Sequence, residues 1–168
     1  AQAHKAAMQF VAPNMNEQSL EAFYLYKFAE QGSRFPAYTP IVAGGEHACI
    51  LHYVENDQTL NDGDLVLVDA GGEYECYASD ITRTYPVNGK FSDEQLAVYK
   101  VVLEAHKQAI EAVKTGNHIM EPQEISERVI TEGLVDLGIL DGKTEDLLEE
   151  GAHKNFYMHK VGHWIGLD

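Results

Sequence analysis

The stretch Leu65–Tyr85, LVLVDAGGEYECYASDITRTY, constrains this chain more than any other. LVLV is the β-branched, apolar run of a buried strand. It ends in a carboxylate, Asp69, and Ala-Gly-Gly then breaks it. EYECY and DITRTY follow, each with period-two alternation, so the whole reads as strand, turn, strand, turn, strand. Asp80 opens the third segment. A carboxylate at the end of a buried strand is costly unless something pairs with it. Two close together resist ionising together. A cation resolves both problems, either Arg83 or a hard divalent metal bridged by carboxylate oxygens. Taken as isolated residues, Asp69 also suits a turn before Gly-Gly and Asp80 a strand-start cap.

Composition narrows the classes. The net charge of −15, from 12 basic and 27 acidic residues, disfavours nucleic acid and anionic membrane as partners. A hydrophobic content of 45% in 168 residues argues for one globular domain rather than a disordered chain. Cys49 and Cys76 form no CxxC pair and fit a reduced, cytoplasmic protein better than a disulfide scaffold. No stretch is long and apolar enough to span a membrane, and no signal peptide is visible. The chain opens inside a helical pattern without a cap and stops within the apolar run HWIGLD. A fragment of a longer protein is therefore expected.

In chain order, AQAHKAAMQFVA reads as a helix with Ala3, Ala7, Phe10 and Val11 on one stripe, ended by Pro13. Asn16 caps a second helix from about Glu17 to Gln31, with Leu20, Phe23, Tyr24 and Phe28 on one side and Gly32 past its end. SRFPAYTPIVAGGEHACILHY reads as strand, loop, strand, which places His52 in a strand. A lone histidine there is ordinarily a core or surface residue. NDQTLNDGD is loop material, and PVNGKF is a turn. Ser92 and Gln95 form a capping box for a helix to about Thr115, buried through Leu96, Tyr99, Leu103, Ile110 and Val113. Pro122 opens a further helix, with Ile125, Val129 and Leu137 inward and Gly138 at its stop. Glu145–Glu150 is a short helical piece. In NFYMHKVGHWIGLD, His159 and His163 stand four apart; the aromatics and glycines point to extended or looped chain rather than helix.

With the aspartate pair, the histidine pair and ILHY taken together, the sequence resembles the pita-bread dinuclear metallopeptidases, and among them the Xaa-Pro aminopeptidases. FPAYTPIVAGGEHACILHY resembles the segment around the family's substrate-site histidine. LVLVDAGGEYECYASDITRTYPVNGKF resembles its double-aspartate segment, and FYMHKVGHWIGLD the segment with its metal-binding histidine. The resemblance implies an α+β fold: a curved, mainly antiparallel sheet with helices on its outer face and the site on its inner face. It implies two divalent ions, typically manganese, with Asp69 on one, Asp80 bridging both and His163 on the second. His159 and His52 would contact substrate and stabilise the transition state, and Arg83 would orient a carboxylate. A hydroxide held between the ions would attack the carbonyl before proline in peptides with proline second. The ring of proline fixes φ and its nitrogen carries no N–H, so such bonds suit a dedicated enzyme. The family's two glutamate ligands, a further histidine and an arginine would lie beyond Asp168, and its amino-terminal domain before Ala1. On that expectation residues 1–168 are a truncated catalytic domain, inactive alone, from a homo-oligomeric parent. Prolidase, which shares fold and metals, and a metal-free binding module of the same fold are the alternatives. Methionine aminopeptidase fits HKVGHWIGLD poorly.

Overall fold

A computed structural model describes residues 1–166. The chain divides into two compact units, one built on Ala1–Phe91 and the other Ser92–Trp164.

The first unit opens with α1 (Gln2–Phe10) and α2 (Glu17–Glu30). Asn16 caps α2, its side chain accepting from the Gln18 amide at 2.8 Å. The strands are β1 (Phe35–Pro36), β2 (Ile41–Gly44), β3 (Leu65–Asp69), β4 (Gly72–Tyr74), β5 (Tyr77–Ala78) and β6 (Thr82–Pro86). They form two sheets, β1-β4-β5 and β2-β3-β6, and every strand pair is antiparallel. Along β3, Val66 and Val68 are buried, whereas Leu65, Leu67 and Asp69 are half-buried. That alternation follows from the pleat. The valines pack with Ala3, Ala7, Leu20 and Tyr24 of the two helices. Helices therefore cover one face of the sheet and Asp69 is on the other.

Two expectations fail here. EYECY is not one strand. Glu75 and Cys76 both take positive φ, 50° and 71°, making a two-residue turn between β4 and β5. ILHY is not a strand either. A 3-10 turn over Gly45–Cys49 follows β2, and His52 then sits in a turn with φ of 55°. The apolar letters of ILHY do not build a ladder, because Tyr53 turns inward to bond Glu17 while Ile50 and Leu51 stay exposed.

The second unit contains α3 (Asp93–Ala112), α4 (Glu121–Asp136) and α5 (Thr144–Glu150). The Ser92–Gln95 capping box is present, with Ser92 N–H donating to Gln95 Oε1 at 2.9 Å. The buried faces differ from the expected stripes. On α3 they are Ala105, Ala109 and Ala112, while Ile110 and Val113 are exposed. On α4 they are Gln123, Ser126, Ile130 and Leu134, and Leu137 is exposed. Small side chains on one helix meet larger ones on the other: Ala105 packs with Ile130 and Leu134, and a Cβ added at Gly133 would lie 2.3 Å from Val101 Cγ1. A 3-10 turn over Ala152–Asn155 leads into residues 156–166, which hold no strand or helix. The strand-like reading of HWIGLD fails for Trp164–Gly166, and Leu167 and Asp168 lie outside the described residues.

Candidate metal centre

Antiparallel register brings the two aspartates close. Asp69, the last residue of β3, pairs with Ile41 on one side and Thr82 on the other. Asp80 is not the first residue of a strand; it sits between β5 and β6, two residues before Thr82. The intervening chain leaves and returns through a narrow neck. Ala70 N–H donates to Ile81 O at 3.2 Å, and Ser79 N–H to Gly72 O at 3.2 Å. Gly71 lies in that neck, where an added Cβ would fall 1.6 Å from the Ser79 carbonyl oxygen. Only glycine allows the two chain segments so close an approach.

Both carboxylates converge on one hydroxyl. Tyr38 Oη donates to Asp69 Oδ1 and lies 3.1 Å from Asp80 Oδ1. Burial first, then the charges of Asp69 and Asp80, push the Tyr38 hydroxyl far above the usual phenol range, so it keeps its proton. Nothing in residue pattern alone singled out Tyr38. The available signal was its place between Pro36 and Pro40, which stiffen the link from β1 to β2. Two carboxylates gathered around one small donor suit a hard divalent cation. Among the described residues, no three His, Cys, Asp or Glu side chains gather as a complete metal centre. Arg83, on β6, donates from Nη1 to the Thr82 carbonyl at 2.7 Å.

Behind Asp69 lies a buried chain of polar groups. His4 Nε2 is 2.9 Å from the Ala70 carbonyl oxygen. A carbonyl only accepts, so Nε2 carries the proton and Nδ1 accepts from Tyr24 Oη at 3.1 Å. Tyr85 Oη lies 3.2 Å from Tyr24 Oη and donates to it. Burial lowers the pKa of His4, partly offset by the Ala70 bond, and raises that of Tyr85 to about 12.

His52 is exposed on a turn whose flanks are pinned. Tyr53 Oη donates to Glu17 Oε2 at 2.8 Å, and Asn56 donates to Pro40 O at 2.9 Å and accepts from Val42 N–H at 2.9 Å. Glu17, fully buried, also accepts from Gly44 N–H at 2.8 Å. The turn thus hangs from α2 and β2.

His159 and His163 belong to the second unit, on exposed looped chain as the glycines and aromatics suggested. His159 Nδ1 faces Lys160 O and His163 Nδ1 faces Trp164 O, each at 2.7 Å. A carbonyl only accepts, so Nδ1 of each ring carries a proton. Between them, Val161 N–H donates to Gln123 Oε1 at 2.7 Å. Gln123 was not among the residues singled out in the sequence.

An M24 metallopeptidase family model matches residues 1–168, and the chain belongs to that family. The Xaa-Pro aminopeptidase of Haemophilus influenzae is 54% identical over 165 residues, covering 98% of this chain and 38% of that protein. That of Escherichia coli is 46% identical over 168 residues, covering 100% of this chain and 38% of that protein. Among solved structures, Pseudomonas aeruginosa aminopeptidase PepP superposes with a TM-score of 0.98 at 52% identity, over 100% of this chain and 38% of that one. Zinc-substituted E. coli aminopeptidase P in complex with product gives 0.96 at 46% identity, over 99% and 38%. The fold is that of aminopeptidase P, and this chain spans about two-fifths of the length of these relatives.

Proposed function

We propose that this chain carries the double-aspartate and histidine portion of the active site of an Xaa-Pro aminopeptidase, a metal-dependent hydrolase that removes the residue preceding proline. The observation that carries the reading is the convergence of Asp69 and Asp80 on the Tyr38 hydroxyl. Asp69 would hold one divalent ion, Asp80 would bridge two, and His163 would take the second through Nε2. The metals, manganese by the family resemblance, would supply Lewis acidity and a water acidified to near neutral pH. Tyr38, kept protonated, donates to Asp69 beside Asp80 and would help fix the direction of the carboxylate. His159 and His52 would lie against the peptide and, when protonated, donate to the oxygen that gains charge in the transition state.

The relatives' greater length supports two further proposals: residues 1–168 are part of a longer catalytic domain, and its glutamate ligands come from outside this stretch. The 168-residue chain alone would then not turn over peptide. The cysteines, both free thiols, support a cytoplasmic location. Homo-oligomerisation of the parent is carried by the family resemblance.

The test uses the natural protein that contains this chain, supplied with manganese. A tripeptide with proline second should be cleaved before proline. The variant Asp80→Ala should lose on the order of a thousandfold in kcat/KM, the several kcal/mol a metal supplies. Cleavage of the Xaa-Pro dipeptide only would make the protein a prolidase. No metal-dependent cleavage of either would leave the binding-module reading.

A further inference from the structure

The second unit buries an amide near the start of α4. Gln123, on α4, is 8% exposed and belongs to the helix face that otherwise presents Ser126, Ile130 and Leu134. A buried amide is costly unless bonded at both ends. Both ends are bonded here. Oε1 accepts from Val161 N–H at 2.7 Å, and Nε2 donates to Glu127 Oε1 at 3.0 Å. Only one orientation of the amide satisfies these partners, since the Val161 N–H requires an oxygen and the Glu127 carboxylate requires an N–H. Glu127, one turn further along α4, is half-buried, and its Oε1 lies 3.9 Å from Nε2 of the buried His153. His153 in turn begins the segment, its carbonyl accepting from the Phe156 and Tyr157 amides at 2.9 and 2.8 Å.

We infer that Gln123 is a positioning residue for the histidine-bearing segment, its buried amide clamping the Val161 backbone midway between His159 and His163 while Glu127 fixes the amide's direction. The role rests on the reading of those histidines given above. The ring bonds from His159 to Lys160 and from His163 to Trp164 stay within the segment. Tyr157, at its start, packs against Ile130 and Leu134 of α4 and its hydroxyl bonds Gln123 as well, so the same amide meets the segment at two points. A segment with no regular structure needs such a tether if its imidazoles are to be held to a fraction of an ångström.

The test is made in the natural protein with three variants. Gln123→Met keeps side-chain length and removes the amide's bonds. The double variant Q123E/E127Q exchanges the two groups: a carboxylate again accepts from Val161 N–H, and an amide again donates to it. Hydrogen exchange is read over residues 157–163, with α3 as the internal control, alongside kcat and KM on an Xaa-Pro peptide. Gln123→Met should speed exchange over 157–163 by about tenfold, the loss of one hydrogen bond, with α3 unchanged. It should lower kcat by about tenfold with little change in KM, and the double variant should restore both. Unchanged exchange at 157–163, or faster exchange with wild-type kcat, would overturn the inference. If Gln123→Met does not fold, Glu127→Met carries the same test, because it leaves the acceptor but frees its direction. Faster exchange there supports the clamp and unchanged exchange overturns it. Full activity in His163→Ala would count against the reading of the site itself, and the exchange measurement would still decide the clamp.

Discussion

Tyr38 organises the aspartate pair more directly than any neighbouring residue. Its one hydroxyl proton goes to Asp69 with Asp80 within 3.1 Å, and burial together with those carboxylates keeps that proton in place. Removing the hydroxyl takes away the one group that both carboxylates meet. We expect Tyr38→Phe in the natural protein to lower kcat/KM by about tenfold, the worth of a hydrogen bond to a charged group, while the folded population is unchanged. Wild-type kcat/KM in that variant would make the hydroxyl incidental. At this scale the sequence was legible where chemistry repeats a pattern. The two aspartates flank a Gly-Gly turn, a pattern that raised a cation site beside the plainer reading of turn residue and cap. Tyr38 follows no such pattern, because a phenol between prolines has no spacing rule, and its partners are set by the register of a sheet that brings distant residues together.

Helix starts follow local rules, and those were legible: the Asn16 cap, the Ser92–Gln95 box and Pro122 at the start of α4 are all where local chemistry placed them. Buried faces were not. Ile110 and Val113 are larger and more apolar than Ala105 and Ala109, yet the alanines are the buried ones, and Ala105 packs with Ile130 and Leu134 of α4. The ILHY error likewise lies in a distant contact, since Tyr53 is drawn inward by the buried Glu17. How α1 is joined to β3 was equally invisible. His4 reaches across to the Ala70 carbonyl, and Tyr24 and Tyr85 complete the chain. Burial lowers the His4 pKa, so below the ordinary histidine value of about 6.5 the unfolded chain takes up a proton that the fold resists. Stability should therefore fall as pH drops from about 6.5 towards the lowered value and then level off. Urea unfolding at pH 7 and pH 5.5 checks this. His4→Gln should be less stable at pH 7 and should lose less on acidification, the difference being about 1.4 kcal/mol per unit by which the pKa is lowered. Equal losses in both proteins would contradict it.

Across the whole chain, the mixed α and β character was legible from alternating strands and capped helices, and the antiparallel pairing of every strand agrees with it. The sheet's place in a pita-bread fold was not readable from periodicity. It came from the likeness of three long segments to a known family, and the similarity to aminopeptidase P structures carries it. The net charge of −15 is too widely spread to identify a site, although it disfavours partners that need a basic surface. What distinguishes a metallopeptidase from any acidic domain is a small set of ligands that no composition reports.

Metal content is the most direct test of that central claim. The natural protein, purified with manganese and freed of loose ions, should retain two ions per chain, and Asp80→Asn should retain at most one. Two ions held equally well by Asp80→Asn would contradict the placement of the metal centre at the Asp69–Asp80 pair.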